Sequence, residues 1–429
     1  MATAASNSFD VGIRVPSAAT FTMPTVQDEL ATYQRWGWTI GPNADPAYDS
    51  APGYLVTQAD IHGDTEGDDV WAYLQAYNRR TSGRNGYLQR AQAWRDYYVK
   101  NFEGSPDQAN DESFLFDHFY GWGLQQYATQ IGDPGAAAEA LKISTTLHDW
   151  WAAGGRSGGG GWPVPGVFDM AHYGIRGPAR NLHTAVAVAD ATGDAKAIEL
   201  RDRLIDLWLQ SPDWDNLHGM YWVADVAYPQ LNYAAGDRMV SPFHIGHLAE
   251  AFFAAWLSPN VTQARKDGMR TKVIAMATWM RANGLDPTYR YSSSELGIRG
   301  SGGAWWNYSL TQPVTFWDGV YTISIVNLLV MGYKFTGDST FLFGPASNGF
   351  YPAQYCFNRG TKNMYGTTDM REGPNQTMVP AGGNENVAFH LVDTRFDSST
   401  NNEYLYNNKG ELQYTYLLFE NGGAPTVFP

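Results

Sequence analysis

The sequence predicts a mainly α chain whose five or six helical hairpins close into an (α/α) toroid, followed by a small C-terminal β-containing segment. Three observations predict this. A hairpin pattern recurs, the two helices of each hairpin are patterned differently, and the connections alternate between short and long. The recurring segments are DDVWAYLQAYNRRTSGR from Asp68, DHFYGWGLQQYATQIGD from Asp117 and GPARNLHTAVAVADATGD from Gly177. Two more follow, SPFHIGHLAEAFFAAWLSPN from Ser241 and FWDGVYTISIVNLLVMGYKFTGD from Phe316. Their tight turns fall at Gly83, Gly132, Gly193, Pro259 and Gly337, at intervals of 49, 61, 66 and 78 residues. The helices repeat while the loops between hairpins change length.

The elements divide the chain at two places. Residues 1–25 read as an N-terminal arm, and QDELATYQRW within Val26–Trp38 is helix-like enough to open a further hairpin. Residues 26–341 form the toroid. In its third hairpin, Asn181 to Asp190 is strongly polar only at its ends and reads as buried all round. The partner helix places Leu200, Leu204, Leu207 and Trp208 at i, i+4, i+7 and i+8, opposite Arg201, Asp202, Arg203 and Asp206. The fifth first-helix carries Asp318 as its one charge before Lys334. A helix apolar all round followed by a one-faced helix, repeated, describes an inner ring inside an outer ring. Short turns such as Thr192-Gly193-Asp194 join inner to outer helices at one end. Long Gly-, Trp- and Pro-rich loops, clearest from Gly154 to Pro178, lead into inner helices at the other. That second end is the expected functional mouth, because long loops on a rigid scaffold carry function and helix N-termini add partial positive charge. From 342 to 429 the helical period fades, and the alternation about Asn408-Lys409-Gly410 reads as a β-hairpin in a cap or module.

Composition narrows the function. The chain is 44% hydrophobic and 17% charged, which excludes wholesale disorder. A net charge of −14 argues against nucleic acid and anionic membrane as partners. Aromatics make up 14% of residues, and their flat faces with polar handles suit sugar rings. The single cysteine, Cys356, excludes an internal disulfide and a Cys-rich zinc site. The stretch from Val320 to Tyr333 is too short and too often interrupted to span a bilayer. No basic start followed by an apolar run marks a signal peptide at the N-terminus, although a polysaccharide substrate favours an extracellular or periplasmic setting.

The hairpin string with its TGD-type turns resembles the six-hairpin toroid superfamily of carbohydrate-active enzymes, over roughly residues 26–340. That superfamily contains both polysaccharide lyases and glycoside hydrolases, so the resemblance implies a polysaccharide or oligosaccharide substrate. Gly160-Gly161-Trp162-Pro163 is similar to a motif of one toroidal pectate-lyase family. The residues that follow it depart from that family, and no catalytic role is carried over.

The richest chemical cluster is HYGIRGPARNLH. It supplies His172, Tyr173, Arg180 and Asn181 as catalytic candidates, with Arg176 and His183 as substrate-binding ones. Arg or Asn can neutralise a uronate carboxylate so that the proton on the adjacent carbon acidifies, and Tyr or neutral His can remove it. Helix capping and loop packing are the plainer uses of the same residues. His118 and Tyr120 open the second inner helix in a comparable register, and His244 opens the fourth. His247 reads as packed, since its spacing from His244 does not make the HExxH zinc pattern. No metal ligand set and no cofactor motif emerges; the acidic run from Asp60 to Asp69 suits a solvated loop or a calcium ion. Trp162 and the loop residues Trp305, Trp306, Asn307 and Tyr308 are candidate sugar platforms, and Asp318 is a candidate binding or capping carboxylate. Two Arg, two His, a Tyr and an Asn against one acid, Asp169, favour a lyase cleaving a uronic-acid-containing polysaccharide by β-elimination. A glycoside hydrolase using two carboxylates from among Asp69, Asp237 and Asp318 is the alternative, and a non-catalytic glycan-binding or particle-associated protein the third.

Overall fold

The computed structural model describes residues 66–78, 85–104, 121–155, 159–168, 174–224, 238–240, 242–283, 304–305, 308–309, 317–318 and 322–342, with 353, 418, 427 and 428. Among these residues four complete helical hairpins precede the inner helix of a fifth. They are α1 (Glu66–Asn78) with α2 (Asn85–Gly104), α3 (Gly121–Ile131) with α4 (Pro134–Ala152), and α5 (Arg176–Thr192) with α6 (Ala195–Leu209). Then come α7 (Pro242–Leu257) with α8 (Gln263–Asn283), and α9 (Thr322–Thr336). The odd-numbered helices pack in sequence, α1 on α3, α3 on α5, α5 on α7 and α7 on α9. The even-numbered helices lie against their own hairpin partners and against one another. This is the inner and outer ring of an (α/α) toroid.

The recurring Gly-Asp turn has a physical cause. Gly132, Gly193 and Gly337 hold φ of 78°, 68° and 73°, which side chains disfavour, and the aspartate that follows begins the next helix. Asp133 accepts hydrogen bonds from the Gly135 and Ala136 amides, and Asp194 from the Ala197 amide. A glycine stop joined to an aspartate start turns the chain in three residues. At the opposite end of α3, closeness decides instead: a Cβ on Gly121 would lie 2.8 Å from Thr184 Cγ2 and 3.2 Å from the Ala140 carbonyl.

Much of the aromatic content serves the core. Trp94, Trp151, Trp208 and Trp222 are almost fully buried, as are Tyr73, Tyr87 and Tyr221. Composition therefore overstates how many rings are left for sugars.

Short strands form in the long loops, where the sequence shows no strand period. β1 (Trp214–Asp215) pairs antiparallel with β2 (Met220–Tyr221). β3 (Val223–Ala224), β4 (Arg238–Val240) and β6 (Tyr308–Ser309) make a second sheet, and β5 (Ala304–Trp305) pairs with β7 (Trp317–Asp318). Two-residue strands are too short to show alternation, so only long-range pairing reveals them. Two sequence expectations change in consequence. The fifth inner helix begins at Thr322, and Asp318 lies in a ladder opposite Ala304 rather than in that helix. Glu66, Asp68 and Asp69 belong to the first turn of α1 and not to a loop. The expected helix at 26–38 and the β-hairpin near residue 409 lie outside the described residues. No described helix is long and apolar enough to cross a membrane.

Candidate active site

The period of α5 decides which of its polar residues can act. Arg176, Arg180, His183, Ala187 and Asp190 stand at i, i+4, i+7, i+11 and i+14, one stripe that faces the lumen. Asn181 is about 100° round the helix from Arg180. Its Oδ1 accepts a hydrogen bond from Trp151 Nε1 of the outer helix α4 at 3.0 Å, and the residue is fully buried. Asn181 therefore lies in the layer between the rings. Trp162 packs against outer helices. Its ring meets His148 edge-on at 5.4 Å and lies 5.5 Å beneath the Arg203 guanidinium, both on outer helices.

The luminal residues of α5 meet those of α7 and α9. Arg180 and His247 are both buried, with Arg180 Nη2 3.3 Å from His247 Nε2. A guanidinium only donates, so His247 Nε2 accepts and its proton sits on Nδ1. Nδ1 is 3.9 Å from Glu250 Oε2, and Glu250 Oε1 accepts a hydrogen bond from Asn327 Nδ2 at 2.6 Å. The result is a chain of polar groups across three inner helices, from Arg180 through His247 and Glu250 to Asn327. Burial drives the His247 pKa well below the usual imidazole value, reinforced by the charges of Arg180 and Arg176. His247 is thus held neutral. His244, also buried, lies one turn nearer the N-terminus of α7.

His183 closes this group on the side toward the turns. Its ring stacks on Trp122 at 4.2 Å and 9°, and Trp122 in turn meets Trp71 at 4.8 Å. Burial pushes the His183 pKa down to about 3, so this imidazole is neutral too. Below the stack a cavity of about 390 Å³ runs along α3, α5 and α7.

The structure thus brings together Arg176, Arg180, His183 and His244 from the sequence expectations. His118, Tyr120, His172, Tyr173, Trp306 and Asn307 lie outside the described residues. Trp305 and Tyr308 are placed by backbone alone: Trp305 pairs with Trp317, and Tyr308 with Val240 just ahead of α7. Glu250 and Asn327 are not among the candidates the sequence offers, and His247, which reads there as packed, is indeed buried. The available signals were His247 and Glu250 at i, i+3 in a helix otherwise apolar, and Asn327 alone in another. Among the described residues no three His, Cys, Asp or Glu converge as a metal site.

Chemically, the group offers cations, neutral imidazoles and one carboxylate already engaged by an amide. It can bind an anion or a developing enolate and exchange a proton with it. Among the described luminal residues near it there is no second carboxylate to form an acid pair with Glu250.

No protein-family model matches the chain, and no curated protein matches it. Solved structures do. The chain is similar to a sugar epimerase from a ruminal bacterium, at 13% identity and TM-score 0.57 over 91% of this chain and 97% of that one. It is similar to a polysaccharide lyase at 11% identity and TM-score 0.52, over 92% and 98% of the two chains. It is also similar to cellobiose 2-epimerase from Bacillus thermoamylovorans, at 13% identity and TM-score 0.50 over 91% and 99%. The shared feature is the fold, an (α/α) toroid.

Proposed function

We propose that the chain is a carbohydrate-active enzyme that removes the proton beside a sugar carboxylate or carbonyl, acting as a lyase on a uronic-acid-containing polysaccharide. The observation that carries this reading is the luminal chain Arg180–His247–Glu250–Asn327, with Arg176 and His244 beside it. In β-elimination the carboxylate of the uronate must be neutralised before its α-proton becomes acidic, and Arg176 and Arg180 supply that charge. A neutral imidazole is the right state for a base, and burial keeps His247 in that state with Glu250 facing its Nδ1–H. Glu250 would stabilise the imidazolium formed when the proton arrives. For His247 to act, Nε2 must exchange Arg180 for substrate, which happens if the substrate carboxylate draws the guanidinium away. His172, Tyr173, His118 and Tyr120 are proposed to complete the mouth, with a hydroxyl protonating the departing sugar oxygen. Trp305, Trp306, Asn307 and Tyr308 would line it.

A second reading shares the first step. Proton removal beside a carbonyl and its return to the other face is epimerisation, and the depth of His247 and Arg180 inside the ring suits a free sugar or a chain end. Two of the similar structures are named as epimerases. One experiment separates these readings: incubation in deuterium oxide with acidic and neutral glycans, followed by mass spectrometry and ultraviolet absorbance. An ultraviolet-absorbing unsaturated uronate supports the lyase, and deuterium in an uncleaved sugar supports the epimerase. New reducing ends without that chromophore would indicate hydrolysis and overturn both. Binding without turnover would leave a glycan-binding protein. His247→Gln and Glu250→Gln should each lower turnover by about a hundredfold or more, the usual scale of acid–base catalysis.

A further inference from the structure

The cavity on the turn side of the His183–Trp122 stack is not needed for the proton-transfer chemistry. Its floor is the row Trp71, Trp122 and His183. Its rim carries Asp190, Ala191 and Leu257 at the C-terminal ends of inner helices, so it opens at the end opposite the mouth. From His183 to Ala191 the helical rise makes it about 12 Å deep. Arg180 and His247 are not part of its lining, because they sit beyond the floor. A volume of about 390 Å³ lies within the roughly 300–1,000 Å³ usual for small-molecule sites.

One wall carries a buried amide. Thr129 Oγ1 donates its single proton to the Gln125 carbonyl at 2.9 Å, so it can only accept from the Gln125 side chain. That fixes Gln125 Nε2 toward Thr129 at 3.2 Å and leaves Oε1 directed elsewhere. Gln125 is 5% exposed and lines the cavity, while its Oε1 is buried within the wall. Asp190, whose Oδ1 accepts from Ser258 Oγ at 2.7 Å and Asn260 Nδ2 at 3.0 Å and lies 3.6 Å from Arg201 Nη1, places a carboxylate at the rim. Among the described residues the lining holds aromatic rings, polar side chains and one carboxylate but no lysine or arginine. That combination suits a ring bearing hydroxyl donors and disfavours an anion.

We propose that this chamber is a second sugar site, open at the turn end, that takes a neutral mono- or disaccharide. The choice of sugar as ligand rests on the carbohydrate reading above; the chamber and its polarity do not. The two ends of the lumen then differ in kind, with arginines for an acidic sugar at the mouth and acceptors with rings for a neutral one here. Because His183 forms the floor, a ligand here touches the wall of the proton-transfer group.

The test is ligand-observed saturation-transfer NMR with glucose, mannose, galactose, cellobiose and glucuronate, which requires no turnover. At least one neutral sugar should bind in the millimolar range, with glucuronate about tenfold weaker at the component attributed to the chamber. Ala187→Phe, which fills the void from α5, should weaken that sugar about tenfold or more. Ala254→Leu, from the α7 wall, should do the same, so that a folding defect in one variant does not decide the matter; circular dichroism verifies both folds. Arg180→Ala should abolish turnover at the mouth yet keep this binding, which separates a failure here from a failure of the catalytic reading. Absence of binding by every neutral sugar at tens of millimolar would overturn the proposal. So would unchanged affinity in both filled variants.

Discussion

Acid should weaken this fold through His183 in particular, and the effect can be isolated. In the native protein burial holds its pKa near 3, while in the unfolded chain it returns to about 6.5. A group whose native pKa is depressed stabilises fully above the unfolded value and loses that contribution as pH falls toward the native one. At pH 5 the native imidazole is still neutral, and the unfolded one has gained its proton. The loss between pH 8 and pH 5 is then about 1.5 pH units at about 1.4 kcal/mol each, roughly 2 kcal/mol. This value does not depend on how far below 5 the native pKa lies. His183→Phe removes the titration and keeps a flat ring against Trp122, which stacks at 4.2 Å. Urea denaturation of both proteins at pH 8 and pH 5 gives a double difference in which other titrating groups cancel. The wild type should lose about 2 kcal/mol more than the variant on acidification. Equal losses in the two proteins would show that His183 is protonated or solvated in the native state, and the description of it as a neutral floor would be wrong.

Three further outcomes follow from particular contacts. Gly121→Ala gains at most about 1 kcal/mol of helix propensity but places a methyl 2.8 Å from Thr184 Cγ2, so a net loss of about 1–2 kcal/mol is expected in urea melts. Equal or greater stability would contradict the close approach of α3 and α5. Asn181→Leu should lower stability by about 1–3 kcal/mol by breaking the bond from Trp151, while sugar affinity measured by calorimetry stays unchanged. A loss of affinity without a loss of stability would return Asn181 to the site. Lys272, buried against the Trp214 ring at 3.8 Å, has its pKa lowered by burial to about 7. The unfolded chain therefore binds the extra proton between about pH 7 and 10.5, and stability should rise with pH across that window and level off above it. Lys272→Met should flatten this rise, as followed by thermal melts at pH 7 and pH 9.

The ring architecture was legible in the sequence because its determinants are local. A glycine that stops a helix and an aspartate that starts the next lie within three residues, and the helical period repeats within one or two turns. Arg176, Arg180, His183 and His244 stand out in the sequence for the same reason, being polar residues near the openings of otherwise apolar helices. Whether they share a site was not. Arg180 and His247 are 67 residues apart in sequence, and Glu250 and Asn327 77 apart, so only the closure of the ring brings them within reach. Adjacent residues also part company: Arg180 faces the lumen while Asn181, about 100° round the helix, faces Trp151. Strands of two residues and the burial that holds His183 and His247 neutral are likewise made by partners far along the chain. Local periodicity set the elements; the direction of each side chain and the company it keeps were set by the packing of one helix against the next.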